Sequence, residues 1–258
     1  MNVRIGAKTD KGMKRLHNED SLYCNKEMGL FVLADGMGGH RAGDVASRIA
    51  VETVADNFKT NKLRKDHYVL EKYNKDFSKE TNRLASTIGL ASCKIYESAA
   101  KSPECHGMGT TIVSVFLSNN MMSMACVGDS RIYLIRNGVI RQLSNDHSLV
   151  NEQLKSGLIT EKESRNSRLR NVITRALGTD KSIEVDLDEE MILSEDQILM
   201  CSDGLHDMLE DSEILDAVLN CSGKPQKACD SLIKLANEKG GSDNISVILL
   251  HISEDKNG

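Results

Sequence analysis

Residues 40–58 bring Val45, Ile49, Val54 and Phe58 round at near-helical spacing, and residues 78–100 do the same with Leu84, Ile88, Ala91 and Ile95. Apolar side chains three or four positions apart share one helix face, so both segments predict amphipathic helices. The lysine-rich piece between them, 59–77, reads as a solvated connection or a helix extension. From residue 107 the rhythm changes. Thr110–Leu117, Met121–Val127, Arg131–Ile135 and Val139–Leu143 are short runs rich in β-formers, punctuated by Ser118-Asn119-Asn120, Gly128-Asp129 and Asn137-Gly138. Asn-Gly between apolar runs signals a hairpin, because both residues tolerate the positive φ of a two-residue turn. Further strands are expected at 3–7, 30–34, 183–187, 196–202 and 244–252, and helices at 146–156, 211–220 and 224–238. The strands come in antiparallel blocks instead of alternating with helices, which predicts an α+β chain with sheets covered on both sides.

Composition narrows this. A chain of 258 residues buries about three quarters of its unfolded surface and needs no disulfide staple. Only two prolines occur, Pro103 and Pro225, and no linker or repeat divides the sequence, so a single domain over 1–258 is expected. With no Trp and nine aromatics, the core must be aliphatic. The seven cysteines, scattered and without Cys-x-x-Cys, read as small hydrophobes, Cys126 and Cys201 above all. A net charge of −5 argues against a nucleic-acid binder. No apolar run approaches the roughly 20 residues of a membrane span, and the N-terminus lacks a signal-peptide core. The expectation is a cytoplasmic monomer with no membrane contact.

Candidate chemistry lies where apolar strands end. Phe31-Val-Leu-Ala34 leads to Asp35-Gly36, Ala125-Cys-Val127 to Gly128-Asp129, and Ile198-Leu-Met-Cys-Ser202 to Asp203-Gly204. Asp243 directly precedes the strand from Asn244, and Asp20 precedes a short apolar piece. Asp-Gly by itself usually marks a turn. Strand ends of one sandwich, however, can bring such carboxylates together. Two bare carboxylates 4 Å apart repel by about 4 kcal/mol at an effective dielectric of 20, so a cluster of four or five calls for cations. All-oxygen ligands suit Mg²⁺ or Mn²⁺, and two such ions can activate a water between them. Other templates fail: Gly36-Met-Gly38-Gly39-His40-Arg41 has Arg where a dinucleotide loop needs its last Gly, and no Walker loop, Gly-x-Ser-x-Gly or calcium loop is present.

Eight segments in order carry a resemblance: Arg15-Leu-His-Asn-Glu19-Asp20, Ala34-Asp-Gly-Met-Gly-Gly-His-Arg-Ala-Gly43, Gly107-Met-Gly-Thr-Thr111, Gly128-Asp-Ser-Arg131, Asp146-His-Ser148, Ile173-Thr-Arg-Ala-Leu-Gly178, Cys201-Ser-Asp-Gly-Leu205 and Gly241-Ser-Asp-Asn-Ile245. Together they resemble the metal-dependent protein phosphatase 2C family, in its bacterial Ser/Thr phosphatase branch, from about Gly6 to Ile252. The resemblance implies a central antiparallel β-sandwich flanked by pairs of helices, in four layers. It implies two core Mn²⁺ or Mg²⁺ ions, with Asp35 bridging, the Gly36 carbonyl as backbone ligand, and Asp203 and Asp243 as further ligands. Asp20 matches a ligand met directly or through water, and Glu19 beside it a supporting residue. Asp129 with Asp203 matches a third, weaker ion site, and Arg15 the grip on substrate phosphate. The implied activity is hydrolysis of phosphoserine and phosphothreonine in proteins, opposing a Ser/Thr kinase or acting on that kinase or its targets.

Several residues stay open at this level. Met37 stands where many eukaryotic relatives carry a histidine, so His40 and His147 are either structural or candidate acids, and the general acid is unassigned. Residues 151–180 match the family's variable flap, whose basic run Ser164–Arg170 either meets substrate or is a solvated face. Met108, Met121, Met122 and Met124 read as core filling. Two other functions compete: a non-catalytic metal-binding regulatory module of the same fold, and a two-metal phosphodiesterase.

Overall fold

The computed structural model describes residues 2–38, 42–60, 74–160, 163, 167, 169 and 171–254. One antiparallel sheet is built from β1 (Asn2–Asp10), β7 (Arg131–Arg136), β8 (Val139–Gln142), β10 (Gln197–Cys201) and β11 (Ile245–Ser253), in the order β1-β11-β10-β7-β8. The other runs β2-β3-β5-β6-β9, from β2 (Asp20–Asn25), β3 (Leu30–Met37), β5 (Ile112–Ser118), β6 (Met121–Val127) and β9 (Asp186–Met191), with the short β4 (Gly109–Thr110) also on β3. The Asn137-Gly138 turn between β7 and β8 has φ of 53° and 74°, the paired positive values expected of that dipeptide.

Alternation along each strand sorts side chains into three cores. Phe31 and Leu33 of β3, Val113 and Val115 of β5 and Met122 and Met124 of β6 meet Ile132, Leu134, Ile198, Met200, Ile248 and Leu250 of the facing sheet. The opposite faces are covered too. Leu30, Val32 and Ala34 pack under α1 (Ala42–Lys59) and α2 (Lys79–Lys101), against Ala46, Val54, Leu84, Ile88 and Ile95. Leu199, Cys201, Val247 and Leu249 pack under α4 (Asp203–His206), α5 (Asp211–Leu219) and α6 (Pro225–Glu238), against Ile214, Leu232 and Ala236. The layers are therefore α-β-β-α. Strands covered on both faces read as nearly continuous apolar runs, which is why β10 and β11 stand out in the sequence.

Most expected elements appear within two or three residues of their predicted bounds. The strand expected at 183–187 lies instead at Asp186–Met191, where it pairs with β6. Its sequence, Asp-Leu-Asp-Glu-Glu-Met, is that of a charged edge strand, while Ile183 and Val185 pack against the core from the preceding loop. The helix expected over 146–156 starts only at Leu149 (α3, Leu149–Lys155), because Ser148 caps it, its side chain accepting from the Asn151 N–H at 3.3 Å. Strand β2 and the single turn α4 were not expected. Met108, Met122 and Met124 are buried, but Met121 is 39% exposed, since it opens β6 at the sandwich rim. All seven cysteines are free, Cys126 and Cys201 buried. The lysine-rich connection over 61–73, His40 and nearly all of the basic run 164–170 lie outside the described residues. Among the described residues no helix is long and apolar enough to cross a membrane.

Candidate metal centre

Strands β2 and β3 set the first pair of carboxylates. Their register places Asp20 directly opposite Asp35. Like charges facing each other across a ladder are destabilising, so nothing in sheet formation favours this pair. The backbone holds Asp35 firmly all the same. Its N–H donates to Thr111 Oγ1 at 3.1 Å, and its carbonyl accepts from the Thr111 N–H and the Thr110 hydroxyl, both at 2.8 Å. Thr111 Oγ1 in turn meets Ser130 Oγ at 2.7 Å. Asp20 Oδ2 accepts from Ser202 Oγ at 3.0 Å, linking the two sheets at this edge.

The adjoining sheet supplies Asp203 and Asp243. Asp203 follows β10 as the first residue of α4, and Asp243 lies just before β11. Asn244 acts as a clamp: its Oδ1 accepts from the Glu19 N–H at 2.8 Å, and its Nδ2 donates to the carbonyls of Lys11 at 3.0 Å and His17 at 2.9 Å. The loop carrying Arg15 and Glu19 is thus fixed at both ends. Arg15 Nη2 donates to Asp243 Oδ2 at 2.6 Å while remaining 56% exposed. That contact was not foreseen: the residue expected on phosphate is held by a residue expected on metal. Asp243 Oδ1 accepts from the Asn244 N–H at 2.8 Å.

Asp129 sits on the turn between β6 and β7. Gly128 has φ of 102°, and a Cβ there would lie 2.6 Å from Thr111 side-chain carbons, so only glycine fits. His147 grips this turn from both sides, its N–H donating to the Gly128 carbonyl at 2.9 Å and its Nδ1 accepting from the Gly128 N–H at 3.0 Å. Its Nε2 faces Asp186 Oδ2 at 3.1 Å, so both ring nitrogens are engaged. Asp146 forms a bidentate pair with Arg131, at 2.7 and 3.1 Å. The Asp146-His147-Ser148 segment thus serves three structural contacts in a row. Beyond Asp129 and Asp203 a cleft of about 530 Å³ opens between α3 and α4, with Asp146, Asn151, Asp207 and Asp211 on its walls.

Electrostatics tie the five aspartates into one unit. Burial pushes the Asp35 carboxyl well above its usual range, and the charges of Asp20, Asp203, Asp129 and Asp243 push it further. Asp203 is raised in the same way, by burial first and then by Asp129 and Asp243. Burial lifts Asp20 to about 6 against hydrogen bonds from Ser246 and Ser202. Asp129 also rises to about 6, through burial and then the charge of Asp146. Glu19 is raised by burial, with Arg15 opposing and Asp44 adding to the rise.

A hydrated divalent ion fits these residues. Asp20 Oδ1 and Asp203 Oδ1 are sealed from solvent and have no hydrogen-bond donor, which is costly unless a cation or its water meets them. Gly36 packs so tightly on Gly43 that a Cβ on Gly36 would lie 2.1 Å from the Gly43 carbonyl. A Cβ on Gly43 would in turn fill the space 2.6 Å from Glu19 Oε2 and 2.8 Å from the Gly36 carbonyl oxygen. The two glycines let these backbones and Glu19 Oε2 pack closely at this edge. Among the described residues no three Asp, Glu, His or Cys side chains close on one point as a ready-made chelate. The donors at this edge are all oxygen, the ligand type that suits Mg²⁺ or Mn²⁺. Sequence reasoning missed Ser202, Asn244, Thr110 and Thr111 as supports of the site. All four lie within the motif segments, but no spacing rule assigns them to the aspartates they support.

Known proteins are similar to this chain over nearly its whole length. The chain is 37% identical over 246 residues to the serine/threonine phosphatase stp of Listeria monocytogenes, covering 94% of this chain and 93% of that one. It superposes on the serine/threonine phosphatase PstP/Ppp of Mycobacterium tuberculosis with a TM-score of 0.85 at 30% identity, covering 98% and 99% of the two chains. A structure of the PstP catalytic domain in complex with two manganese ions matches with a TM-score of 0.83, also at 30% identity and covering 98% and 99% of the two chains. Residues 6–245 match the family described as Protein phosphatase 2C, a span that includes every aspartate of the cluster. With the fold, the cluster and this near-complete coverage in agreement, the chain belongs to the protein phosphatase 2C family.

Proposed function

We propose that this chain is a cytoplasmic, metal-dependent phosphatase that removes phosphate from phosphoserine and phosphothreonine in proteins, opposing a Ser/Thr kinase. The observation that carries this reading is the crowd of buried aspartates at one sandwich edge, with two oxygens lacking any donor, beside an exposed arginine. Asp35, Asp203, Asp243 and Asp20, with the Gly36 carbonyl, would hold two Mn²⁺ or Mg²⁺ ions, and Asp129 with Asp203 a third, weaker one. Bound there, the ions lower the pKa of water and neutralise charge on the phosphoryl group.

The chain's own residues do the rest. Arg15 presents a planar guanidinium at the rim and can pair with two phosphate oxygens, exchanging its contact with Asp243 for one with substrate. The Asn244 clamp fixes the loop that carries Arg15, so this grip is positioned before substrate arrives. Thr110 and Thr111 hold the Asp35 backbone against the repulsion around it. His147, engaged at both ring nitrogens, is a support of the Asp129 turn.

The test is phosphate release from a phosphothreonine peptide in Mn²⁺ and in EDTA, with Asp203→Ala as control. Release that needs Mn²⁺ and disappears in the variant is expected. Robust cleavage of a phosphodiester with no release from phosphopeptides would replace this reading with a two-metal diesterase.

A further inference from the structure

We infer that the free edge of β1 is a docking strand: an extended segment of a partner protein, in which acidic and apolar residues alternate, pairs with it at Val3 and Ile5. The groove shares no residue with the aspartate cluster and stands apart from the metal-site reading.

Strand β1 closes one end of its sheet and is bonded along one side only, to β11. Its register sets Val3 opposite Ile252, Ile5 opposite Leu250 and Ala7 opposite Ile248. In an antiparallel ladder every second residue turns its N–H and C=O away from the neighbouring strand. Ala7 shows which set that is: its N–H donates to Gln226 Oε1 at 3.2 Å, and its carbonyl accepts from Gln226 Nε2 at 3.3 Å. A side-chain amide there stands in for the peptide group of a further strand. Gln226 reaches this place because Gly6 lets Pro225 seat against β1; a Cβ on Gly6 would lie 2.3 Å from the Pro225 carbonyl carbon. By the same alternation Val3 and Ile5 point their N–H and C=O outward, and among the described residues no group meets them.

The space beside them is a groove of about 470 Å³ between Lys26, in the turn after β2, and Lys224, at the start of α6. An open strand edge invites strand addition, in which main-chain bonds give affinity and alternate side chains give specificity. The side chains of the groove define the guest. Val3 and Ile5 pack against the inter-sheet core, while Arg4, on the opposite face, is exposed with its Nη2 3.0 Å from His251 Nδ1. Among the described residues the groove carries Arg4, Lys26 and Lys224 and no acid, on a chain whose net charge is −5. A guest strand with acidic residues on the Arg4 face and apolar ones on the face of Val3 and Ile5 matches both. A second copy of β1 does not, because it would set these cations against their own counterparts.

The experiment is fluorescence polarisation of a labelled, alternating Glu-Val peptide in EDTA, against wild type, Val3→Pro, Lys224→Glu and Lys227→Glu. Val3→Pro deletes one outward N–H and none of the bonds to β11, and an edge strand tolerates proline whose nitrogen faces solvent. Lys224 is exposed and makes no side-chain cap bond to α6; Lys227, exposed on the same helix and outside the groove, is the control. Expected is saturable binding to wild type and to Lys227→Glu. It should weaken about 3–10-fold in Val3→Pro, the loss of one hydrogen bond, and by a similar factor in Lys224→Glu, where attraction turns to repulsion. Melting of Val3→Pro is read alongside, and if that variant does not fold, Lys224→Glu decides. Undiminished binding in either groove variant overturns the inference. So does equal binding of a Glu-Pro peptide, which carries the same charge but cannot form a strand. No binding to wild type also overturns it and leaves the three cations as guards of an edge strand. Dimerisation of the chain alone in sedimentation, lost in Val3→Pro, would give the edge to a second copy and overturn it too. None of these results bears on the phosphatase reading, whose assay depends on Mn²⁺.

Discussion

Replacing Asp129 by Asn tests the electrostatic account of the site in a form that needs no substrate. Asp129 is only 5% exposed, and burial with the charges of Asp146 and Asp207 lifts its carboxyl from 3.8 to about 6. The native protein therefore holds this proton more tightly than the unfolded chain. A raised carboxyl contributes stability that is complete below about pH 3.8 and lost as pH rises through about 6. The rise is worth about 3 kcal/mol, and asparagine, which cannot ionise, escapes the loss. In EDTA, Asp129→Asn should thus gain on wild type by about 3 kcal/mol between pH 4 and pH 7. For a chain of this size that is a melting-temperature gap widening by about 6–12 °C.

Differential scanning fluorimetry of both proteins across that range reads the gap directly, and taking the difference cancels the titration of every group the two share. Saturating Mn²⁺ at pH 7 should narrow or reverse the gap, because an ion that binds only the native state stabilises it by mass action. A gap in EDTA that is the same at pH 4.5 and pH 7 would refute the reasoning. It would mean that burial and the charges of Asp146 and Asp207 do not hold the Asp129 proton in the folded state.

Two further outcomes are expected. Arg15→Ala should raise KM for a phosphopeptide by about 10–100-fold, the loss of a charge-assisted pair, and a fall in kcat at unchanged KM would instead place its grip in the transition state. Ile88→Ala, fully buried between α2 and the sheet, should cost about 2–5 kcal/mol in denaturant unfolding while leaving KM unchanged, and a shifted KM would show that this helix layer reaches the site.

Much of this was legible because the sandwich is covered on both faces. Strands such as Ile245–Ser253 are mostly apolar and buried almost throughout, and α1 and α2 repeat cleanly, so period and turn residues sufficed. Elements whose sequence reflects the site instead of the core were not legible. Strand β2 begins with Asp20 and alternates weakly, and its place is fixed by hairpin pairing with the adjacent β3. Helical turn α4 reads as an Asp-Gly turn because a Cβ at Gly204 would lie 2.1 Å from the Asn244 carbonyl, a contact made across the site. The motif aspartates could be named from their order along the chain. Their supports could not, since Asn244 reaches Lys11 and His17 from more than 220 residues away.

The same contrast explains how the fold tolerates its own site. Asp20 faces Asp35 in a register that repulsion alone would shift, yet a one-residue slip would turn Phe31 and Leu33 out of the inter-sheet core and bring Val32 and Ala34 in. Each of those side chains is fully buried, so the slip would exchange large for small in both cores, and such mispacking costs about 1–5 kcal/mol per position. Several such terms act in concert along β3, against about 4 kcal/mol for one pair of bare carboxylates 4 Å apart. The hydrophobic register therefore wins before any ion arrives, and the carboxylates are held where the fold puts them. A site made this way should remain assembled without metal and differ chiefly in protonation. On this account wild type and Asp203→Ala share one fold in EDTA and separate only when Mn²⁺ is added.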